Sequence, residues 1–418
     1  MRWKKEKPRE LGSKASVMIW EQRKLGDIVT RVIRKNENLE SKLPLTISAQ
    51  FGLIAQDEFF DKRIASKNIS HYYLIRKGEF AYNKSTSMDA PWGAIKRLEH
   101  YDNGVLSTLY IMFRILDENK VNSDYIVSYY VTNLWHKGVR EVAAEGARNH
   151  GLLNIAPVDF FETTLTIPSN ENEQKNIGEY FRRLDRLITL HQRKLEKLKI
   201  IKKSMLEKCF PKKGEKVPKI RFSGFTDDWK QRKLGDVANS FEYGLNVAAK
   251  AYDGINKYIR ITDIDDVSRK FLFNNLTSPN VNISEAINYQ LKKGDILFAR
   301  TGASVGKTYL YSEKDGMVFY AGFLIRAKIS SSYDSNFIFQ NTLTENYRRY
   351  IQITSQRSGQ PGVNAQEYGE YKLMIPRLLE QKKIGNYFKY LDTLITLHQS
   401  KLEKLQKIKK SMLERMFV

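Results

Sequence analysis

The chain contains two long copies of one helical sequence, and this duplication constrains its architecture more than any other feature. Residues 173–210 return as residues 380–417, an offset of 207, with 28 of 38 positions identical. A shorter segment, WEQRKLGDI at 20–28, returns as WKQRKLGDV at 229–237. Residues 29–168 and 238–376, which lie between these borders, share almost no such identity. We therefore predict two divergent domains within a duplicated frame.

Apolar residues in both long copies recur at alternating steps of three and four, the spacing of a coiled-coil seam. A helix that exposes such a seam is unstable alone, so we expect the two copies to pack together. An antiparallel pair is expected, because a pseudo-two-fold axis relates direct repeats in this way. Asn170 and Glu173 form a predicted capping box at the first helix. The predicted seam comprises Phe181, Leu184, Ile188, His191, Leu195, Phe388, Leu391, Ile395, His398 and Leu402.

Length and composition favour two or three domains with sizeable cores, since 418 residues exceed one ordinary core and 41% of them are hydrophobic. Each divergent half has the pattern of short β segments with a few helical pieces, which favours an α+β fold. The predicted fold is two mixed α/β domains joined by two long helices that pack as an antiparallel coiled coil, with an internal pseudo-two-fold repeat. The predicted segments are an N-terminal segment 1–19, domain 20–169, helix 170–210, linker 211–228, domain 229–377 and helix 378–418.

The charge balance indicates a polyanionic partner. Lys and Arg number 70 against 47 Asp and Glu, a net charge of +23, and such an excess of cations binds phosphates by releasing their counterions. Cys209 is the only cysteine, which excludes an internal disulfide and a cysteine-based zinc site. No apolar run reaches the roughly 18 residues of a membrane span, so a cytoplasmic location is expected.

The two divergent domains share one short pattern. YLIRKGEFAYNKS at 73–85 aligns with YQLKKGDILFART at 289–301, so that Gly78 matches Gly294 and Lys84 matches Arg300. The pattern predicts a turn, then a strand that ends in a cation. The loop after Arg300 ends in Gly-Lys-Thr, but only three residues separate its glycines and a strand-like sequence follows. A phosphate-binding P-loop needs four residues and a helix, so the pattern disfavours one here.

Other candidate chemistry is weak. Glu370 and Lys372 have the Glu-x-Lys spacing of nucleases, but no aspartate lies on a preceding strand, and a surface ion pair is favoured. His191 and His398 occupy repeat-equivalent seam positions, where a packed polar residue is favoured and a metal site is the alternative. Lys202 and Lys409 are interpreted in the same way. We predict no catalytic residue, bound metal or cofactor.

Polar residues near the end of each domain are of the types that read base edges. Arg148, Asn149 and His150 lie in the first domain, and Gln356, Arg357 and Gln360 in the second. Loop residues of this kind on a basic chain favour double-stranded DNA as the ligand. The predicted DNA-binding residues are Lys84, Arg148, Asn149, Arg300, Thr301, Ser304, Lys307, Arg357 and Gln360.

The ordered set of KLGD boxes, the KKGDILFARTG strand and loop, and the Ile-Pro…Glu-Gln entry into each long helix resembles the specificity subunit of type I restriction-modification enzymes. The resemblance covers nearly the whole chain, although residues 1–19 differ from the lead-in VPKIRFSGFTDDW at 217–229. It implies two target recognition domains, each reading half of a split DNA site, and no catalysis by this chain. It also implies docking of two modification subunits, which methylate adenine, and restriction subunits that translocate and cleave foreign DNA.

Three alternatives stay open at this stage. They are a stand-alone DNA-binding protein, a nuclease or nucleoside triphosphatase, and a structural coiled coil. For the favoured interpretation we expect the helices to set the half-site spacing at about one DNA turn, or about 34 Å.

Overall fold

The computed structural model describes residues 20–48, 52–60, 66, 68–88, 90–143, 148, 149 and 152–417. Two compact units divide the chain, and each contains parts of both long helices. The first unit is Met1–Thr189 with Glu403–Val418, and the second is Leu190–Leu402. The predicted N-terminal segment 1–19 lies outside the described residues.

The first unit combines short strands with helices. Its strands are β1 Trp20–Lys24, β2 Val29–Val32, β3 Leu45–Ser48, β4 Gly52–Ala55, β5 Tyr73–Arg76, β6 Phe80–Asn83, β7 Ala94–Arg97, β8 Asn103–Leu106, β9 Ile111–Ile115, β10 Arg148–Asn149, β11 Leu152–Leu153 and β12 Thr164–Pro168. Its helices are α1 Gln56–Phe60, α2 Ser123–Tyr129, α3 Trp135–Val142 and α4 Pro157–Phe161, followed by the long α5 Glu171–Cys209, which continues into the second unit.

The second unit has a comparable set of elements. Its strands are β13 Lys230–Lys233, β14 Ala238–Tyr243, β15 Ala249–Ala251, β16 Lys257–Ile259, β17 Thr277–Pro279, β18 Asp295–Ala299, β19 Thr308–Leu310, β20 Val318–Tyr320, β21 Leu324–Ile329 and β22 Lys372–Ile375. Its helices are α6 Leu234–Val237, α7 Ile283–Ala286, α8 Ser335–Asn341, α9 Glu345–Thr354, α10 Ala365–Gly369 and the long α11 Leu378–Met416, which ends in the first unit.

A four-stranded antiparallel sheet forms the centre of each unit, and the two sheets have matching strand orders. The orders are β2-β9-β6-β7 and β14-β21-β18-β19. The predicted turn precedes β6 in one unit and β18 in the other, with Gly78 and Gly294 at φ of +89° and +94°. This left-handed conformation favours glycine. The sequence alignment of 73–85 with 289–301 therefore matches the same strand in two otherwise divergent domains, and the α+β prediction is confirmed.

The KLGD box fastens the first strand of each domain to its last. The Leu25 amide donates to the Thr163 carbonyl at 2.8 Å, and the Leu234 amide donates to the Tyr371 carbonyl at 2.8 Å. Both leucine side chains are fully buried. The lysine that precedes each leucine forms an ion pair, Lys24 with Glu162 at 2.7 Å and Lys233 with Glu370 at 2.8 Å. Glu370 thus pairs with the box lysine across β13 and β22, and not with Lys372 as predicted.

The Glu-Gln pair at the start of each long helix attaches that helix to its own domain. The buried Gln174 accepts from the Asn122 amide at 2.9 Å, and its equivalent Gln381 accepts from the Asp334 amide at 3.0 Å. One helical turn later the helix is in close contact with the domain. A Cβ at Gly178 would lie 2.7 Å from the Tyr125 nitrogen. A Cβ at the equivalent Gly385 would lie 2.3 Å from the Asp334 carboxylate, so only glycine fits either site without a shift.

The predicted capping box at α5 forms only in part. The Asn170 side chain accepts from the Asn172 amide at 2.9 Å and from the Glu173 amide at 3.4 Å. Glu173 accepts from the Trp20 indole N–H at 3.1 Å, a contact across the unit. This tertiary partner explains the difference from the local motif.

Within each unit the two long helices run antiparallel. In the first unit Phe181 of α5 packs near Phe417, just beyond α11, and Lys409 pairs with Asp185 at 2.6 Å. In the second unit Phe210 packs against Phe388 of α11. The second unit also contains the repeat-equivalent ion pair, Lys202 with Asp392 at 2.6 Å. The two seam lysines therefore each bind an aspartate on the opposing helix.

Candidate nucleic-acid interface

The end of the central strand in the second unit carries a cation stacked on an aromatic ring. Arg300 directly follows β18, and its guanidinium carbon lies 5.0 Å from the centre of the Tyr243 ring. Tyr243 ends β14, so two strands of one sheet bring these side chains together. The stacking restricts the arginine rotamer while Tyr243 remains exposed. Sequence analysis did not identify Tyr243, whose only local signal is an aromatic residue before Gly244.

The loop after Arg300 is held against residues 361–363 by backbone hydrogen bonds. The Gly302 amide donates to the Pro361 carbonyl at 2.9 Å, and the Val363 amide donates to the Arg300 carbonyl at 2.9 Å. Thr301 and Gly362 form an antiparallel bridge. The segment that contains Gln360 therefore lies against the loop that contains Thr301 and Ser304. These predicted DNA-binding residues are close together.

The same loop does not have P-loop geometry. The Gly306 amide donates to the Ala299 carbonyl at 3.0 Å and to the Tyr368 hydroxyl at 3.1 Å, so it is committed within the domain. The Thr308 hydroxyl bonds to Thr342 at 2.8 Å. Thr308 begins a strand and not a helix. The Gly306 amide is therefore not available to a phosphate, and no helix begins at the end of the loop to bind one.

Lys307 differs from the other predicted DNA-binding residues. It is only 7% exposed, donates to the Ile264 carbonyl at 3.1 Å and forms a 2.5 Å ion pair with Asp266. Since its ammonium is already paired and its side chain is buried, we leave Lys307 out of the proposed DNA contacts. Arg357 is exposed and bonds to the Thr354 carbonyl at 2.8 Å and to the Glu367 carboxylate. Its guanidinium also donates to the Gln356 carbonyl at 2.9 Å.

The first unit repeats the site with different side chains. Lys84 follows β6 as Arg300 follows β18, and its ammonium donates to the Ile155 carbonyl at 3.2 Å. Burial lowers the pKa of Lys84. The Leu153 amide donates to the Lys84 carbonyl at 3.0 Å, which matches the bond between Val363 and Arg300. Arg148 and Asn149 form β10, which pairs with β11 beside this strand end, and His150 lies outside the described residues.

The seam histidines face each other in the second unit. The Nδ1 atoms of His191 and His398 are 2.8 Å apart, so one ring must donate a hydrogen bond and the other must accept it. Among the residues that the structure describes, no group of three or more His, Cys, Asp or Glu is placed to hold a metal ion. The pair functions as a polar contact between the helices.

Acidification is expected to weaken this contact. Burial lowers the pKa of His398 below its ordinary value, and His191, Lys194 and Lys401 lower it further. A histidine with a lowered pKa binds protons more readily when unfolded, so its contribution is complete above about pH 6.5 and is lost as the pH falls. We expect the melting temperature to fall less between about pH 8 and pH 5.5 in a His191→Asn, His398→Asn variant than in the native chain. Equal pH dependence of the two proteins would contradict this prediction.

Not all predicted seam residues are equally buried. The seam residues in the first half of each helix include the buried phenylalanines, and Leu195 is buried although it lies further along α5 than the partly buried Ile188 and His191. Buried seam residues are Phe181, Leu184, Leu195, Phe388 and Leu391, and partly buried ones are Ile188, His191, Ile395, His398 and Leu402.

Among the described residues, no helix is both long and apolar enough to cross a membrane.

Comparisons with known proteins agree with this geometry. Residues 226–407 match the family model described as the type I restriction modification DNA specificity domain. The specificity subunit of the type I restriction enzyme MjaVIII from Methanocaldococcus jannaschii is 22% identical, over 94% of this chain and 91% of the relative.

A solved structure shows the same fold. The crystal structure of the S subunit of a type I restriction-modification system from M. genitalium matches with a TM-score of 0.62 and 15% identity, covering 98% of each chain. The HsdS subunit from Thermoanaerobacter tengcongensis is a weaker match, with a TM-score of 0.41 and 14% identity, covering 95% of this chain and 96% of that one. Residues 226–407 therefore match a type I restriction modification DNA specificity domain, and the chain is similar to a type I specificity subunit over nearly its whole length.

Proposed function

We propose that this chain, as a DNA specificity subunit, binds one split double-stranded DNA site through two recognition domains, residues 20–169 and 229–377. Each domain reads one half of the site. The chain itself supplies recognition, and the modification and restriction subunits that join it supply adenine methylation, DNA translocation and cleavage.

The observation that carries this proposal is the matched position of Lys84 and Arg300. Lys84 follows β6 and Arg300 follows β18, and these strands hold equivalent positions in the two four-stranded sheets. Each residue is also joined to a neighbouring loop by an equivalent backbone hydrogen bond. The side chains around them differ between the domains. A constant scaffold with different contact residues is what two half-sites of different sequence require.

The proposed contacts divide into two kinds. Exposed lysines and arginines, which give the chain its net charge of +23, bind phosphates and set the position of the domains on the duplex. Residues at the strand ends read base edges, because Arg pairs with guanine and Gln with adenine through two hydrogen bonds. The proposed reading residues are Lys84, Arg148, Asn149, Arg300, Thr301, Ser304, Arg357 and Gln360.

Methylation mapping tests the proposal directly. Genomes from cells that carry this chain with its partner subunits are compared with genomes from cells that lack only this chain. We expect adenine methylation at one bipartite sequence, present only with the chain. If the chain is a structural coiled coil, no such sequence appears, and its affinity for DNA does not fall steeply with salt.

Loss of the Arg300 side chain is expected to affect one half-site. In Arg300→Ala the guanidinium that stacks on Tyr243 is absent, and we expect affinity for the mapped duplex to fall about 5- to 150-fold. Base preference should relax in the half-site of the second domain alone. Lys293→Ala is the matched control, because Lys293 is an exposed cation before the same strand. Equal losses in both variants would indicate a phosphate contact and contradict base reading by Arg300.

The long helices present repeat-equivalent apolar residues that support docking of two identical subunits. Leu190 and Leu397 are 45% and 46% exposed, and each precedes a seam histidine. Exposed leucines on a helix are sites that a partner surface can cover. Because the surrounding sequence is nearly identical in both copies, two copies of one modification subunit fit this pair of positions.

Acidic substitutions are expected to block that docking. In Leu190→Glu with Leu397→Glu, a partner would have to bury two carboxylates in place of two leucines, and we expect its affinity to fall more than about tenfold. Co-purification of the modification subunits measures the effect, and each single variant should retain one subunit. The control is Lys197→Glu with Lys404→Glu, at exposed repeat-equivalent positions. Full retention of both subunits by the double leucine variant would contradict this docking site.

A further inference from the structure

Each recognition domain holds a large, exposed apolar side chain in the turn before the second strand of its four-stranded sheet. Leu109 precedes β9 and is 57% exposed, and Phe323 precedes β21 and is 62% exposed. The two positions are equivalent by strand register. Ile111 pairs with Tyr82 in one domain and Ile325 pairs with Phe298 in the other, and Tyr82 aligns with Phe298.

The same turn presents both residues. The Tyr110 amide donates to the Ser107 carbonyl at 3.1 Å, and the Leu324 amide donates to the Ala321 carbonyl at 2.9 Å. Leu109 and Phe323 therefore occupy the third position of two four-residue turns. Polar residues and glycine usually occupy turns, because they satisfy local hydrogen bonds or adopt unusual backbone angles. A leucine or phenylalanine side chain in a turn can form no local hydrogen bond and gives the backbone no additional freedom.

The backbone around Phe323 is fixed beside the proposed reading residues. The Arg300 amide donates to the Phe323 carbonyl at 3.1 Å, and the Gly322 amide donates to the Leu245 carbonyl at 2.6 Å. The ring therefore extends from a rigid turn next to the stacked Arg300 guanidinium. A single exposed apolar residue is ordinary on a protein surface. Its recurrence at one position, in domains that share almost no sequence identity, indicates a common requirement.

We propose that Leu109 and Phe323 are wedges that insert between neighbouring bases of the two half-sites, unstacking one base step in each. This inference rests on the proposed function and assigns these residues a role in it. Leucine and phenylalanine are side chains that DNA-bending proteins insert between base steps, while nearby cations hold the phosphates. In the second domain the Phe323 carbonyl accepts from the Arg300 amide, and in the first domain Leu109 precedes β9, which pairs with β6, the strand before Lys84. Each proposed wedge thus belongs to the strand beside a proposed reading residue.

Duplexes carrying 2-aminopurine at successive positions of the mapped site test the inference with the full chain and its partner subunits. The fluorescence of 2-aminopurine rises when the base is unstacked. We expect a rise at one position in each half-site for the native chain. Phe323→Ala should abolish the rise in one half-site and weaken binding about 5- to 150-fold, whereas Phe323→Leu should retain both because leucine serves in the first domain.

Leu109→Ala should abolish the rise in the other half-site alone. Its control is Leu116→Ala, because Leu116 directly follows the opposite end of β9 and is 55% exposed. The inference is overturned if native and Phe323→Ala proteins give the same fluorescence at every position. It is also overturned if the alanine variants lose modification subunits while fluorescence persists, which would make these residues a protein contact. If the native chain binds no specific duplex, the proposed function itself fails.

Discussion

Replacement of Phe210 by alanine is expected to lower the free energy of unfolding of the second unit by about 3–5 kcal/mol. Phe210 is buried, and its ring centre lies 5.3 Å from that of Phe337, 6.0 Å from Phe388 and 6.4 Å from Trp229. It is the point at which the end of α5 enters the core of the second unit. Truncation leaves a cavity among three rings that cannot close without moving the helix. Urea unfolding monitored by hydrogen exchange in residues 229–402 measures the loss.

Two further variants compare the loss of a second buried ring with the loss of an exposed one. Phe417→Ala removes the repeat-equivalent ring, which lies among Trp20, Tyr125 and Phe181, and should destabilise the first unit by a similar amount. Tyr390→Ala removes an exposed aromatic from α11, and we expect a change within about 0.5 kcal/mol. A loss below about 1 kcal/mol in Phe210→Ala would show that α5 is not anchored through this residue.

The repeat and the helix seam could be predicted because both are local in sequence. A period of three and four residues fixes one face of a helix, and the same face appears twice with 28 of 38 residues unchanged. The turn before the central strand was equally accessible, since Gly78 and Gly294 need a backbone conformation that few other residues adopt. These features require no knowledge of distant contacts.

The purposes of the repeated boxes could not be predicted, because they depend on partners far along the chain. The leucine of each KLGD box bonds to the residue just before the last strand of its domain, Leu25 to Thr163 and Leu234 to Tyr371. Gln174 and Gln381 reach the loops before α2 and α8. Nothing in the local sequence of Glu370 indicates that Lys233 is its partner rather than Lys372. Periodicity carries no information about such pairs.

The candidate site shows the same division. Residue types at the strand ends indicated Lys84 and Arg300, but the Tyr243 ring that orients Arg300 belongs to another strand. Lys307 is of a residue type that often binds phosphate, but its side chain is buried against Ile264 and Asp266. Exposure and orientation decide which cations can reach DNA, and both result from tertiary packing.

Replacement of Glu380 by alanine is expected to destabilise the second unit by about 3 kcal/mol, because it leaves a largely buried guanidinium without its carboxylate. Glu380 is 1% exposed and accepts two hydrogen bonds from Arg221, at 2.7 and 2.8 Å. This carboxylate raises the pKa of Arg221. The arginine nevertheless stays charged when its partner is removed, because a guanidinium is not deprotonated in proteins. The pair joins the segment before β13 to the first turn of α11. Urea unfolding of the full chain measures the loss.

The size of this effect depends on breaking the pair and not on losing a charge at the surface. Replacing both partners, Arg221→Met with Glu380→Leu, should recover most of the stability, because neither an unpaired charge nor a large cavity remains. Asp228→Ala removes a surface ion pair with Lys216 at 3.4 Å and should change stability by less than about 1 kcal/mol. If the double replacement is as unstable as Glu380→Ala, the carboxylate and guanidinium together specify the position of the segment before β13 on α11, and apolar packing cannot replace them.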